Sequence, residues 1–173
     1  MQNEVLNTIL NRRSCKKYLP TAVPEEIINR IIEAGLYAAN GRGVQASVIL
    51  AVTDKKLRDR LEKLNSEYLP HGGSPFYGAP VVLVVLADKT APTYVYDGSL
   101  TMGNMMLAAQ SLGVGSCWIH RAKQVFDSEE GKQILADLGI EGDYEGIGNC
   151  IIGYPADEPK PAAPRREGRV FKA

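Results

Sequence analysis

The segment from Val81 to Leu86 constrains the fold more than any other part of this sequence. It reads Val-Val-Leu-Val-Val-Leu, with no charged or polar residue. β-branched residues favour strands, and a strand without polar side chains must be covered on both faces. The longer apolar run that contains it, Ala79 to Ala87, is far too short to cross a bilayer. We therefore predict a central strand between two other layers.

Helical and strand patterns alternate around this segment. Strands are predicted at Ser47–Thr53, Gly115–His120 and Ile147–Gly153. Helices are predicted at 2–12, from Pro24 to about Ala38, after the N-cap Asp54, from about Asp97 to Leu112, and from a capping box at Asp127–Glu130 to Gly139. No repeat or linker is visible, so we expect one domain over residues 1–173, with a proline-rich basic tail from about 154 to 173.

The predicted helix from Asp97 to Leu112 is apolar on nearly every side. A helix of this kind is buried all round. A domain of 173 residues seldom has room to bury a helix completely by itself. We therefore expect a second subunit to cover part of it.

The composition limits the partners of this chain. Its 20 basic and 20 acidic residues balance to a net charge of zero, which argues against a non-specific nucleic-acid binder. The three widely separated cysteines fit neither a disulfide framework nor a zinc site, and they suit a reducing compartment. No apolar leader segment opens the chain. We expect a soluble cytoplasmic protein that binds neither nucleic acid nor membrane.

A cluster of cations with a hydroxyl, Arg12-Arg13-Ser14-Cys15-Lys16-Lys17, follows the first predicted helix. Arginine and lysine side chains with a nearby hydroxyl are the groups that bind a phosphate ester. The other interpretation is a solvated basic helix end, where cations interact favourably with the helix dipole. The segment alone leaves both interpretations open.

Obvious proton-transfer or nucleophilic machinery is missing from the sequence. It contains no phosphate-loop, dinucleotide or nucleophile-elbow motif, and its two histidines do not form a helical metal-ligand pair. His120 is either a proton donor at a strand end or a structural histidine. An enzyme of this composition would leave the chemistry to a bound cofactor, so we expect neither a catalytic side chain nor a metal.

The order of the motifs resembles the nitroreductase family of flavin enzymes. The resemblance covers essentially the whole chain. Its motifs are Asn11–Tyr18, Val23–Glu25, the glycine-rich loop that ends at Gln45, Phe76–Pro80, Asp97–Ser99, Leu112–Ile119 and a C-terminal proline with paired arginines. It implies an α+β fold, a three-layer α/β/α sandwich around a mixed sheet, in an intertwined homodimer with one FMN per subunit at the interface.

The resemblance also assigns residues to the FMN site. Arg12 and Lys16 would hold the phosphate or the pyrimidine edge of the ring, with Arg13 and Ser14 beside them. The remaining assignments are Arg165 at the phosphate with Arg166 as the alternative, Asn40, Gly41 and Gln45 from the partner subunit, and backbone groups around Val114 to Ser116, including Gly115, facing the ring.

The sequence departs from the family pattern at two places. Lys16 stands where many relatives have arginine. The positive charge is kept, but lysine lacks the two parallel N–H donors with which arginine binds an anion in bidentate fashion. The loop from Asn40 to Gln45 lacks the Pro-Ser start and the Gln-Pro-Trp end of the commoner pattern. The irregular segment His71–Pro75 is either a mobile lid or an ordinary surface loop.

The resemblance implies an FMN-dependent oxidoreductase. Hydride would pass from NADH or NADPH through flavin N5 to a nitroaromatic, quinone or related small acceptor, in ping-pong order. The alternative from another class is a flavin carrier or redox sensor on the same fold, without turnover.

Overall fold

The charge-free segment forms the centre of the sheet. The computed structural model describes residues 3–173. Its strands are β1 (Ser47–Val52), β2 (Val81–Asp88), β3 (Gly115–Ile119) and β4 (Tyr144–Gly153), in the order β1-β2-β4-β3. β2 lies between β1 and β4, and every residue from Val81 to Ala87 is buried. The predicted central strand, covered on both faces, is confirmed.

Six α-helices occur within residues 3–173, and all but the first pack on the two faces of the sheet. They are α1 (Glu4–Asn11), α2 (Glu25–Leu36), α3 (Lys55–Glu67), α4 (Tyr94–Ser111), α5 (Ala122–Asp127) and α6 (Glu129–Asp137). Val82, Val84 and Leu86 pack in one core with residues of α3, α5 and α6. Val81, Leu83 and Val85 pack in a second core with residues of α2 and α4. The expected three-layer α/β/α sandwich is therefore confirmed.

The four strands pair in the antiparallel sense throughout. Within residues 3–173, the parallel component of the expected mixed sheet is a single bridge between Ser14 and Ser116. This bridge attaches the cationic segment to the free edge of β3.

The cap at Asp54 is as predicted, whereas the cap of α6 and the start of α4 differ from the prediction. Asp54 caps α3 by accepting a hydrogen bond from the Leu57 N–H at 2.8 Å. The cap of α6 is Ser128, whose hydroxyl accepts from the Gly131 N–H at 3.1 Å; the predicted cap, Asp127, instead ends α5. α4 begins at Tyr94, one turn before the predicted start at Asp97.

The first predicted helix spans residues 2–12, and its residue 2 lies outside the described residues. No helix within residues 3–173 is long and apolar enough to cross a membrane. From residue 158 onward the tail is exposed and carries no helix or strand.

Candidate functional site

The cationic segment runs along the edge of the sheet rather than continuing α1 as a solvated helix end. α1 ends at Asn11, and the Cys15 N–H donates to the Ser116 carbonyl at 2.9 Å. Further on, the Tyr18 hydroxyl donates to the Cys15 carbonyl at 2.8 Å, and the Leu19 N–H donates to the Tyr154 carbonyl at 2.8 Å. These bonds fix the backbone that carries Arg12, Ser14 and Lys16.

A cavity of about 490 Å³ lies beside this segment. That volume is within the usual range for small-molecule sites. Its walls come from the cationic segment, the end of α3, the loop after α3, and the end of β3 with the turn that follows. The lining residues are Ser14, Lys16, Asn65, Leu69, Gly72, Gly73, Ser74, Pro75, Tyr77, Cys117, Trp118, Ile119, His120 and Arg121.

The lining of the cavity suits an anion. It contains Lys16 and Arg121 and no aspartate or glutamate. Within the described chain, Lys17 pairs with Asp157 at 3.1 Å, whereas Lys16 forms no ion pair. The charge of Lys16 is therefore available to a ligand in the cavity.

Four buried side-chain polar atoms within residues 3–173 have no hydrogen-bond partner: Nη1 of Arg12, Nε of Arg13, Oγ of Ser116 and Oδ1 of Asn65. Asn65 lines the cavity, and the other three residues lie within two positions of the lining residues Ser14 and Cys117 along the chain. Asn65 is only 1% exposed, and its amide nitrogen donates to the His120 carbonyl at 2.9 Å, which turns the side chain toward the cavity wall. Buried polar atoms almost always have partners, because leaving one unpaired costs about 1–3 kcal/mol. The unpaired Oδ1 of Asn65 therefore points to a polar ligand in the cavity.

The thiol in the cavity wall remains protonated. Burial raises the pKa of Cys117, and the Ser14 hydroxyl, Lys16 and Arg12 partly oppose this shift because they favour the thiolate. Burial also raises the pKa of Cys150, on the other face of the sheet, to about 12. A thiol with a raised pKa is a poor nucleophile. Ser14, Lys16 and Cys117 all line the cavity.

Within residues 3–173, no group of three or more histidine, cysteine, aspartate and glutamate side chains comes together to hold a metal ion.

The loop from Gly72 to Tyr77 forms one wall of the cavity and is tied to α3. Glu62 Oε1 accepts hydrogen bonds from the Ser74 hydroxyl at 2.5 Å and from the Phe76 N–H at 3.0 Å. The side chain of Phe76 is fully buried in the core beneath. Part of the segment predicted as a lid or a surface loop, Gly72 to Pro75, thus belongs to the site in this structure, whereas His71 is exposed and does not line the cavity.

The loop from Asn40 to Gln45 lies at the opposite edge of the sheet, just before β1. Asp97 Oδ1 accepts from the Gly41 N–H at 3.0 Å, and Asn40 Oδ1 accepts from the Gln45 N–H at 2.9 Å. The sheet order places β1 and β3 at opposite edges. A single chain therefore does not bring Asn40, Gly41 and Gln45 to the cavity.

The remaining predicted residues, including Arg12, lie outside the cavity lining. Val114 is buried in the core beneath α4, and Gly115 is covered by Cys15 and Pro155. The part of β3 that lines the cavity is Cys117–Ile119. The Arg13 guanidinium donates to the Leu10 and Arg12 carbonyls. Arg165 and Arg166 are exposed in the tail.

Asn65 and Arg121 are among the lining residues to which the sequence analysis assigns no role in the site. Asn65 follows Leu64 on the buried side of α3, and a polar residue there is the one signal that could have marked it. Arg121 has a φ of 75°, a left-handed conformation that is uncommon outside glycine. Its sequence context gives no sign of this.

Comparison with known proteins gives concordant matches. A family model described as Nitroreductase family matches residues 9–157. A protein of Archaeoglobus fulgidus, named for NADH dehydrogenase and NAD(P)H nitroreductase, is 30% identical over 161 residues, covering 90% of this chain and 87% of that protein. An NADPH-flavin oxidoreductase of Vibrio harveyi is 27% identical over 175 residues, covering 94% of this chain and 71% of that protein.

Comparison of the fold with solved structures also finds a nitroreductase. A solved structure of a nitroreductase with bound FMN from Bacteroides fragilis superimposes on this chain with a TM-score of 0.91. Its sequence is 27% identical, and the alignment covers 99% of this chain and all of that one (100%).

Proposed function

The chain belongs to the nitroreductase family, and from this premise we propose that it is an FMN-dependent oxidoreductase that uses NADH or NADPH as electron donor. The relatives named above are an NAD(P)H nitroreductase, an NADPH-flavin oxidoreductase and a nitroreductase with bound FMN. The acceptor in this proposal is a nitroaromatic, a quinone or a related small molecule.

The observation that carries the proposal is a cavity without acidic side chains, lined by Lys16 and by Asn65, whose buried Oδ1 is an acceptor that lacks a donor. Arg12, two residues before the lining residue Ser14, has a buried donor, Nη1, that lacks an acceptor. FMN carries phosphate oxygens, and its ring edge presents both donors and acceptors. The residues present therefore fit this cofactor.

Each cation has a separate role in this proposal. The Arg12 guanidinium binds the phosphate, or the pyrimidine edge, through charge-assisted hydrogen bonds. Lys16, which lines the cavity, supplies a positive charge where the ring becomes more negative on reduction. Ser14 contributes a neutral donor beside them. Arg165, or Arg166 in its place, completes the phosphate site from the tail.

The protein orients and shields the reaction rather than performing it. FMN, when bound, supplies the hydride chemistry at its N5 atom. Trp118 and Ile119 give the cavity apolar surface that limits the access of water. Cys117 stays protonated because burial raises its pKa, so it does not attack the donor or the acceptor. One cavity serves both donor and acceptor in turn, which gives ping-pong kinetics.

A homodimer is part of the same proposal. The apolar face of α1 is exposed in the single chain, with Val5 and Leu10 each 67% exposed. A cleft of about 640 Å³ lies between α1 and α4, and its lining combines the apolar Val5, Ile9 and Leu107 with polar residues such as Asn7 and Asn104. Exposed apolar surface of this kind marks an interface. In a dimer, the loop from Asn40 to Gln45 of one subunit would contribute residues to the cavity of the other subunit.

We expect the protein to act in the cytoplasm. All three cysteines are free. Cysteines stay reduced in the cytoplasm, where disulfides are rare.

Gly103→Leu is expected to dissociate the dimer. A Cβ on Gly103 would meet no atom within 4 Å in its own subunit, so the subunit itself accommodates a larger side chain. Gly103 lies in α4 next to Asn104, which lines the cleft between α1 and α4. A leucine at this position would clash with a partner subunit packed there. Analytical ultracentrifugation measures the result, and circular dichroism checks the fold. A folded dimer with unchanged flavin content would contradict the assigned interface.

Anaerobic reduction separates the enzyme from a flavin carrier or sensor. Purified protein loaded with FMN is mixed with NADH or NADPH in the absence of oxygen. We expect the flavin absorbance to be lost after about one equivalent of donor and to return when a quinone is added. Double-reciprocal plots of initial rate should give parallel lines. Protein that binds FMN but is not bleached by either donor would be a carrier or sensor instead.

A further inference from the structure

Tyr77 has a strained backbone at the wall of the cavity. Its φ is 51°, in the left-handed region, which costs a non-glycine residue of this size roughly 1–3 kcal/mol. Four non-glycine residues within 3–173 have a positive φ, and two of them, Tyr77 and Arg121, line the cavity. Strain that persists at a site requires surroundings that hold it and suggests a use for the side chain.

The surroundings of Tyr77 do hold this conformation. The residue before it, Phe76, is buried, and its N–H donates to Glu62 Oε1 at 3.0 Å. The Tyr77 N–H donates to the Ser74 carbonyl at 3.2 Å, and the Ala79 N–H donates to the Phe76 carbonyl at 2.9 Å. The direction in which the Tyr77 ring leaves the backbone is therefore fixed by contacts on both sides.

The ring of Tyr77 faces the one lysine of the cavity. The ammonium nitrogen of Lys16 lies 5.6 Å from the ring centroid, within the range of a cation–π interaction. The ring is 40% exposed, and it lines the cavity. Lys16 forms no ion pair within the described residues, so no carboxylate there draws its ammonium away from this ring.

We propose that Tyr77 is a positioning residue whose ring holds the Lys16 ammonium inside the cavity, and that it thereby raises the reduction potential of the bound flavin. The proposal rests on the proposed function. Lysine carries its charge on a flexible four-carbon stem and is strongly hydrated. Without the ring, the ammonium moves out toward water, where it stabilises the negative charge of reduced flavin less.

Tyr77→Leu tests this in the full-length protein loaded with FMN. Leucine is no better suited than tyrosine to a positive φ, so the change removes the ring without relieving the backbone strain. We expect the two-electron equilibrium constant for flavin reduction to fall about three- to fivefold, a drop of roughly 15–20 mV in midpoint potential. The affinity for oxidised FMN should change less than twofold. Spectroelectrochemistry and flavin titration measure the two quantities.

Two further variants give the matched controls. Tyr77→Phe keeps the ring face, so its midpoint potential should stay close to that of the unchanged protein. Lys16→Met removes the charge, so Tyr77→Leu added to it should produce no additional drop. This non-additivity is the sign that Tyr77 acts through Lys16. The ring current of Tyr77 should also shift the NMR signals of the Lys16 ε-methylene protons upfield. We expect this shift to persist in Tyr77→Phe and to disappear in Tyr77→Leu.

The outcomes distinguish this proposal from the proposed function. If the unchanged protein binds no FMN, both fail together. If it binds FMN and is reduced by NADH or NADPH, but Tyr77→Leu leaves or raises the midpoint potential, only the role of Tyr77 is overturned. An equal drop for Tyr77→Leu in the presence and absence of Lys16 overturns it as well, because the effect then does not pass through Lys16.

Discussion

Replacing Arg12 with alanine is expected to lower the affinity for FMN about 10- to 100-fold while the dimer remains intact. The guanidinium has a buried nitrogen, Nη1, with no partner in the protein. A hydrogen bond between charged groups contributes about 1.5–3 kcal/mol, which corresponds to this loss. Because Nη1 makes no hydrogen bond within the protein, its removal breaks none. The free energy of unfolding of the apoprotein should therefore change little. Flavin absorbance and sedimentation on the same sample measure the two properties.

Lys17→Ala is the matched control for Arg12→Ala. Lys17 belongs to the same cationic segment, but its ammonium is exposed and pairs with Asp157 at 3.1 Å. An exposed ion pair contributes at most about 1 kcal/mol, and flavin binding should be unaffected. Full flavin occupancy in Arg12→Ala, or an equal loss in both variants, would contradict the assignment of Arg12.

Gly146→Ala is expected to lower the free energy of unfolding by about 2–3 kcal/mol. A Cβ at Gly146 would overlap the backbone carbonyl of Ala122, the first residue of α5, and would come within 2.8 Å of the Lys123 nitrogen. Backbone atoms cannot move aside as the end of a flexible side chain does, so α5 must shift away from β4. Overpacking of this kind typically costs about 1–3 kcal/mol. For a chain of this length the melting temperature should fall by roughly 5–10 °C.

The same substitution should weaken flavin binding. α5 directly follows Arg121, and His120 and Arg121 line the cavity, so a displaced α5 moves that wall. Gly103→Ala is the control, because a Cβ there meets no atom within 4 Å and alanine favours a helix by about 0.5–1 kcal/mol over glycine. Equal melting temperatures for the two variants would show that α5 does not depend on the close approach at Gly146.

The parts of the fold set by local patterns could be predicted from the sequence. The charge-free run at β2 and the cap at Asp54 depend on residues close together in the chain. The six-residue helix α5 was not predicted, because so short an element shows little periodicity and depends on its packing against β4. The α6 cap was assigned to Asp127 because aspartate and serine are both good caps, and the choice of Ser128 depends on where α5 ends.

The site was predictable only in part, for the same physical reason. Arg12, Ser14 and Lys16 lie within five consecutive residues, so their clustering could be predicted, whereas the cofactor came from the family resemblance. Asn65 joins them from α3 only because the antiparallel sheet brings the end of β3 beside that helix. The contact between Lys16 and Tyr77 joins residues 61 positions apart, and no local pattern indicates it.

A crystal structure of the protein with FMN bound tests the central claim most directly. We expect a dimer in which the flavin ring occupies the cavity beside Lys16 and Asn65. Arg12 should lie within hydrogen-bond distance of the cofactor, and the loop from Asn40 to Gln45 should arrive from the other subunit. FMN bound elsewhere on the chain, or bound with Arg12 Nη1 still unpaired, would contradict it.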